Sequence, residues 1–206
     1  TADAVPIWGP TNAQKVLRDQ PFPKDNVQQS LAMEAARNEY ESGQIVAKAI
    51  GADLTGVQAS VSDLTLQQGG AALPADRIHL YKQFYIEVSK QTTGAYQKGW
   101  YPDALIPLQP SDRFDIDTGN NQGIWITVQV PKDQQPGDYT GQVTIRSNEK
   151  TFEVPMTLRV WDFELTDEGH TQTAFAVWAD QVAYAHGVQA NTPEYWQLLE
   201  RYYWFQ

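Results

Sequence analysis

Trp178 and Asp180 stand two residues apart at the end of an apolar run, Thr173–Trp178, that reads as a buried strand. If that strand opens a β/α unit, the loop after it lies on the face where (β/α)8 barrels carry their sites. There an indole stacks on a sugar ring, and a carboxylate accepts hydrogen bonds from hydroxyls. The alternative is that Trp178 packs beneath a barrel rim and Asp180 caps a turn. His186, beside Gly187 in the same predicted loop, is a third candidate substrate contact, although a lone His is also an ordinary surface or core residue. A second set, Trp100, Tyr101 and Asp103, lies in a proline-bearing stretch over 89–123 that reads as one long loop. It is a candidate wall of a sugar cleft. The favoured reading is packing, with Trp100 filling an interface, because long ordered loops commonly serve that purpose.

The remaining carboxylates and histidines offer less. Asp112, Asp115, Asp117 and Asn120 surround Gly119, an oxygen-rich pattern of the kind that suits calcium. The run lacks the complete loop pattern and its closing glutamate, so a solvated turn is expected and no metal is assigned. His79 and His170 have no metal-like spacing. Arg37 and Glu39 alternate along a predicted strand and are expected to stabilise a sheet. Asp167-Glu168 is the one adjacent acidic pair, and it sits in a predicted linker beside Gly169. No phosphate-binding loop, dinucleotide fingerprint, nucleophile elbow or zinc helix occurs, so no cofactor is expected.

Composition narrows the partners. Lys and Arg total 15 against 25 Asp and Glu, a formal net charge of −10. That balance argues against a nucleic-acid backbone, which needs clustered cations, and is compatible with a neutral glycan. No apolar run approaches the length of a membrane-spanning helix. With no cysteine, disulfides, thiolate metal sites and a cysteine nucleophile are excluded. Seven tryptophans suit either core packing or sugar stacking.

The elements that must position these residues are mostly strands. Residues 1–29, with Trp8-Gly9-Pro10 and Pro21-Phe22-Pro23, read as an extended lead-in. Leu31, Met33 and Ala35 alternate, as do Ile45, Ala47 and Ala49, suggesting two strands, although Leu31–Tyr40 is also good helix material. Strands are expected at Val57–Leu64, at Ile78–Val88 with Phe84 and Ile86 turned to the core, at Ile124–Val130, at Tyr139–Arg146 and at Phe152–Val160. Short strands with Gly and Pro between them favour an antiparallel β-sandwich over residues 30–165. Thr192 then reads as an N-cap, with Pro193 at the first helical position. Six of the last twelve residues are aromatic, so the helix they form needs a partner. The expectation is a mainly β protein: a sandwich, then over 171–206 the first β/α unit of a (β/α)8 barrel whose remainder lies further along a longer chain.

Four stretches in order carry a resemblance. They are Ala36-Arg37-Asn38-Glu39-Tyr40-Glu41-Ser42-Gly43-Gln44; Trp100-Tyr101-Pro102-Asp103-Ala104-Leu105-Ile106-Pro107-Leu108; Trp125-Ile126-Thr127-Val128 through Pro136-Gly137-Asp138-Tyr139-Thr140-Gly141; and Val160-Trp161-Asp162-Phe163. Together they resemble the glycoside hydrolase family 123-like group, whose founders are β-N-acetylgalactosaminidases. The resemblance spans roughly 30–205. It implies a sandwich placed before a catalytic barrel. It also implies retaining hydrolysis in which the substrate's 2-acetamido group attacks the anomeric carbon, oriented by an aspartate, with an adjacent glutamate as general acid. That pair belongs to a later barrel strand. No position here corresponds to it, so this segment is expected to hold no catalytic residue.

The implied partners are a glycan and the downstream barrel, on which the sandwich is expected to pack. A secreted, periplasmic or cell-surface location is expected. Two other readings stand beside this one: a non-catalytic carbohydrate-binding or cell-surface module, and a homodimer seam made by the aromatics of 195–205.

Overall fold

The computed structural model describes residues 7–23, 29–70, 72–91, 94, 97–148, 150–169 and 176–204. Among them the chain divides into two compact units, Thr1–Thr166 and Asp167–Gln206.

The first unit is a two-sheet sandwich. Its strands are β1 (Ile7–Trp8), β2 (Leu31–Arg37), β3 (Glu39–Lys48), β4 (Leu54–Val61), β5 (Leu64–Leu66), β6 (Ala72–Leu73), β7 (Ile78–Val88), β8 (Gly99–Pro107), β9 (Phe114–Ile116), β10 (Asn121–Val130), β11 (Gly137–Arg146) and β12 (Thr151–Glu164). One sheet runs β1-β3-β10-β7-β8, the other β2-β12-β11-β4-β9, with β5 and β6 attached through β11. The core lies between them. Ile124, Ile126, Val128 and Val130 of β10 face Tyr139, Val143 and Ile145 of β11 and Met156, Leu158 and Val160 of β12 within one buried cluster. This is the alternation that a half-buried strand demands.

One detail of this first unit's pairing departs from the sequence reading. The sheets are not wholly antiparallel, because β2 runs parallel to β12. The chain enters β2 in one sheet and leaves in β3 of the other, turning on Asn38 at φ 61°, a left-handed conformation that asparagine tolerates. Glu39 Oε2 accepts a hydrogen bond from the Ala36 amide at 2.6 Å across this corner, and the strand interpretation of 31–40 holds over the helical one. Arg37 pairs with Asp162 of the neighbouring strand β12, at 3.8 Å, in keeping with the sheet-stabilising role expected of it.

The stretch 89–123 is not one loop. It contains β8 and β9, with β8 antiparallel to β7. Pro102 and Pro107 look like loop punctuation, but β8 is the edge of its sheet, where a residue lacking an amide proton interrupts no ladder. In β7 the buried set changes face. Ile78 and Leu80 point into the core, then Gln83 and Tyr85 are buried on the opposite side, leaving Phe84 51% and Ile86 39% exposed. The cause is residues 9–23, which cover the outer surface of this sheet. Val16 is fully buried there with Trp8 and Val46, and Phe22 meets Trp8 edge-to-face at 5.0 Å.

The second unit holds two helices, α1 (Ala179–His186) and α2 (Pro193–Trp204), around Ala183, Tyr195 and Leu199. Thr192 caps α2: its Oγ1 accepts from the Tyr195 amide at 3.3 Å. The strand expected over Thr173–Trp178 falls largely outside the described residues, and Ala176–Trp178 lie in neither strand nor helix. The described residues form the sandwich and these two helices, and no barrel is formed among them. Among the described residues no helix is long and apolar enough to cross a membrane.

Candidate functional site

In the second unit, the three candidates do not share a loop. Trp178 directly precedes α1 and is 74% exposed, with its carbonyl accepting from the Gln181 and Val182 amides. Asp180 is exposed in the first turn, beside the positive end of the helix. His186 ends the same helix, about 9 Å further along the axis by helical rise. Its Nε2 lies 2.7 Å from the Tyr202 hydroxyl of α2, and the rings meet edge-to-face at 5.7 Å. Gly187, at φ 63°, closes the helix. His186 thus ties α1 to α2, while Trp178 and Asp180 are exposed.

In the first unit, Trp100 and Asp103 are both on β8. Asp103 falls at a register shift between β7 and β8 and is exposed. Trp100 is half-buried, with the Arg18 guanidinium 3.7 Å above its ring, a close cation–π contact. The Arg18 amide also donates to the Trp100 carbonyl at 3.1 Å. Arg18 comes from the lead-in, so the neighbour that defines the surroundings of Trp100 is distant in sequence.

Residues 9–23 are fixed by side chains that look like surface polars in the sequence. Gln44 Nε2 donates to the carbonyls of Thr11 and Gln14, at 2.7 and 2.9 Å. Gln83 Nε2 donates to Gln44 Oε1 at 3.0 Å. Asn121 Nδ2 donates to the carbonyls of Leu17 and Gln20, at 2.8 and 2.9 Å. Lys48 Nζ donates to the Gln20 carbonyl at 3.0 Å, and burial lowers its pKa, with Asp19 opposing. The Tyr85 hydroxyl accepts from the Gly123 amide at 3.2 Å, and burial pushes its pKa up to about 12. Burial, then the neighbouring Glu39, raises the pKa of Glu41.

The acidic run 112–117 does not converge on a shared point. Asp112 accepts from the Gln109 amide and Asp115 from the Gly56 amide. Asp117 faces Asn120 Nδ2 at 3.5 Å. Each carboxylate serves its own turn or a neighbouring strand, and among the described residues no group of three or more His, Cys, Asp or Glu could hold a metal ion.

The sequence reading missed Arg18, Lys48, Gln83 and Tyr85. Only Tyr85 left a signal, being an aromatic in a strand that already alternates. It also missed a cleft of about 490 Å3 with a floor including Val61, Ile78 and Leu80 and a rim including Asp76, His79 and Gln109.

The glycoside hydrolase 123 N-terminal domain model matches residues 8–147. Among solved structures, a family 123 glycoside hydrolase from Clostridium perfringens, described for glycolipid glycan hydrolysis, superposes with a TM-score of 0.79 at 16% identity. The match covers 93% of this chain and 34% of that enzyme, so the chain spans about a third of its length. The CooA pilin subunit of enterotoxigenic Escherichia coli matches at 11% identity and a TM-score of 0.32, over 64% of this chain and 89% of that one. The CfaE adhesin of the same organism gives 10% and 0.37, over 78% and 49%. No curated protein sequence matches this chain.

Proposed function

Because the chain belongs to the glycoside hydrolase 123 N-terminal domain family, we propose that it is the N-terminal part of an exported glycoside hydrolase that removes terminal β-linked N-acetylhexosamine, with N-acetylgalactosamine the favoured sugar. The observation that carries this reading is the family match across 8–147, to which the fold shared with the clostridial enzyme adds. The role of this segment is bracing: the sandwich packs on a downstream barrel, and Trp178 and Asp180 lie on the substrate face of its first β/α unit.

The chemistry is substrate-assisted. The oxygen of the 2-acetamido group forms a bond to the anomeric carbon as the glycosidic bond breaks. A glutamic acid outside this segment gives its proton to the departing oxygen. Water then opens the cyclic intermediate, and that carboxylate takes the water's proton. Two inversions at one carbon retain the configuration.

The test is hydrolysis by the longer protein. Chromogenic β-N-acetylgalactosaminide should be cleaved with retention. The matching β-galactoside, which lacks the internal nucleophile, should react slower by about a thousandfold or more. Equal cleavage of both sugars would remove the substrate-assisted mechanism, and no cleavage of the β-N-acetylgalactosaminide or of the corresponding β-N-acetylglucosaminide would remove the proposed activity.

A further inference from the structure

Strand β7 is longer than the core it serves. Ile78, Leu80, Lys82, Phe84 and Ile86 alternate along it, so they share the face turned toward the opposing sheet. Ile78 and Leu80 are buried in the core cluster. Lys82 still reaches the opposing sheet, with Nζ 5.3 Å from the centre of the Phe114 ring of β9. Phe84 and Ile86, further along, stay exposed. On β8, Ile106 pairs with Lys82 and Tyr101 with Ile86. Directly opposed residues of an antiparallel pair turn their side chains to one face. Ile106 is exposed there as well. The β7–β8 pair thus carries Phe84, Ile86, Tyr101 and Ile106 as one apolar underside.

The other face of the same pair is already taken. Gln83, Tyr85 and Pro102 are buried on it, and Arg18 of the lead-in lies on Trp100. The lead-in is therefore committed to one face and leaves the other bare. Contiguous exposed apolar surface of this kind marks an interaction site, and here it continues the core alternation of a strand. The occupant follows from the length of related protein outside the match. This chain covers 34% of the clostridial enzyme, so about two-thirds of that enzyme lies beyond the matched part. A domain linked in the same polypeptide meets such a surface at high effective concentration. Domains of one chain meet over ~600–1,500 Å2, and these four side chains supply an apolar centre for an interface of that size.

We propose that the underside of β7–β8, centred on Phe84, Ile86 and Ile106, is the surface on which the downstream barrel seats. The occupant rests on the reading of this chain as the N-terminal part of a longer hydrolase. To the bracing role it adds the face through which the sandwich acts.

The experiment is thiol labelling. The chain has no cysteine, so an introduced one reports its own surroundings. Phe84→Cys, Ile106→Cys and Leu105→Cys are made in this chain and in the longer protein, and maleimide labelling is followed against each parent. Leu105 is exposed on the opposite face of β8, paired with Gln83. In the longer protein the thiols at 84 and 106 should react slower by about tenfold or more, as covered thiols do, while the thiol at 105 should keep its rate within about twofold. Ile106→Cys serves alone if Phe84→Cys does not fold. The proposal is overturned by equal rates at 84 and 106 in the two proteins, or by equal slowing at 105. It is also overturned if labelling of this chain alone is slow and speeds up on dilution, the mark of a second copy on the patch. Labelling needs no catalysis. Protection without hydrolysis would remove the proposed activity and leave the docking surface standing; hydrolysis without protection would do the reverse.

Discussion

A methyl group at position 123 would stand 1.9 Å from Gln83 Oε1 and 2.5 Å from its carboxamide carbon. Gln83 is buried and held by Gln44, so it has little room to yield. Gly123→Ala should therefore destabilise the chain by about 1–3 kcal/mol, the ordinary cost of overpacking. Gln83→Ala removes the collision, so the double variant should cost clearly less than the sum of the two single changes. Urea unfolding of the four proteins measures this; strict additivity would mean that the clash is relieved elsewhere. Tyr85 supplies a second residue-scale test. Its hydroxyl pKa is raised from 10.0 to about 12, chiefly by burial. A raised folded-state value means that the protonated phenol contributes stability in full below pH 10, and that the contribution is lost as pH rises through 12. Two units correspond to about 2–3 kcal/mol. Between pH 10 and 12 the parent should lose roughly that much more stability than Tyr85→Phe. Parallel losses in the two proteins would mean that Tyr85 ionises in the folded state as it does in the unfolded chain.

Among the elements, the lead-in depends on a few amides. Asn121 Nδ2 serves two of its carbonyls, Leu17 and Gln20. Asn121→Ala leaves both without that donor, so a loss of about 1–3 kcal/mol is expected, with faster amide hydrogen exchange over 14–20 than in β11 and β12. Uniform exchange in parent and variant would show that backbone packing alone holds the segment. The same elements mark where the sequence was legible. β10 could be read because Ile124, Ile126, Val128 and Val130 alternate against a single core. The Thr192–Pro193 start of α2 could be read because capping is local. β8 was hidden by prolines that only an edge strand accommodates. The change of face at Gln83 and Tyr85 was hidden because it depends on a segment some 65 residues earlier. Trp100 and Asp103 were identifiable as candidates by residue type. Arg18 was not, since nothing within the lead-in signals that its guanidinium rests on an indole.

At the scale of the molecule, the two units differ in what they bury. The sandwich closes its own core with residues from Ile7 to Val160, drawn from both sheets. Among its described residues the second unit buries Ala183, Tyr195 and Leu199, while α2 leaves Trp196, Tyr203 and Trp204 exposed. Its helices are 8 and 12 residues long, and helices below ~12–15 residues are marginal in water without tertiary support. A unit of about 40 residues with no cysteine for a disulfide lies at the lower limit for independent folding. Residues 1–166 expressed alone should therefore unfold in one cooperative transition with β-type circular dichroism, whereas 167–206 alone should show little helix. A strongly helical 167–206 would mean that the Thr192 cap, the Tyr195–Leu199 cluster and the His186–Tyr202 contact suffice. A 1–166 fragment without a cooperative transition would mean that the sandwich needs the residues after Thr166. The expected pair of results would assign the stability of the chain to its two sheets, and would leave the exposed aromatic face of α2 as a surface whose order depends on contacts beyond its own unit.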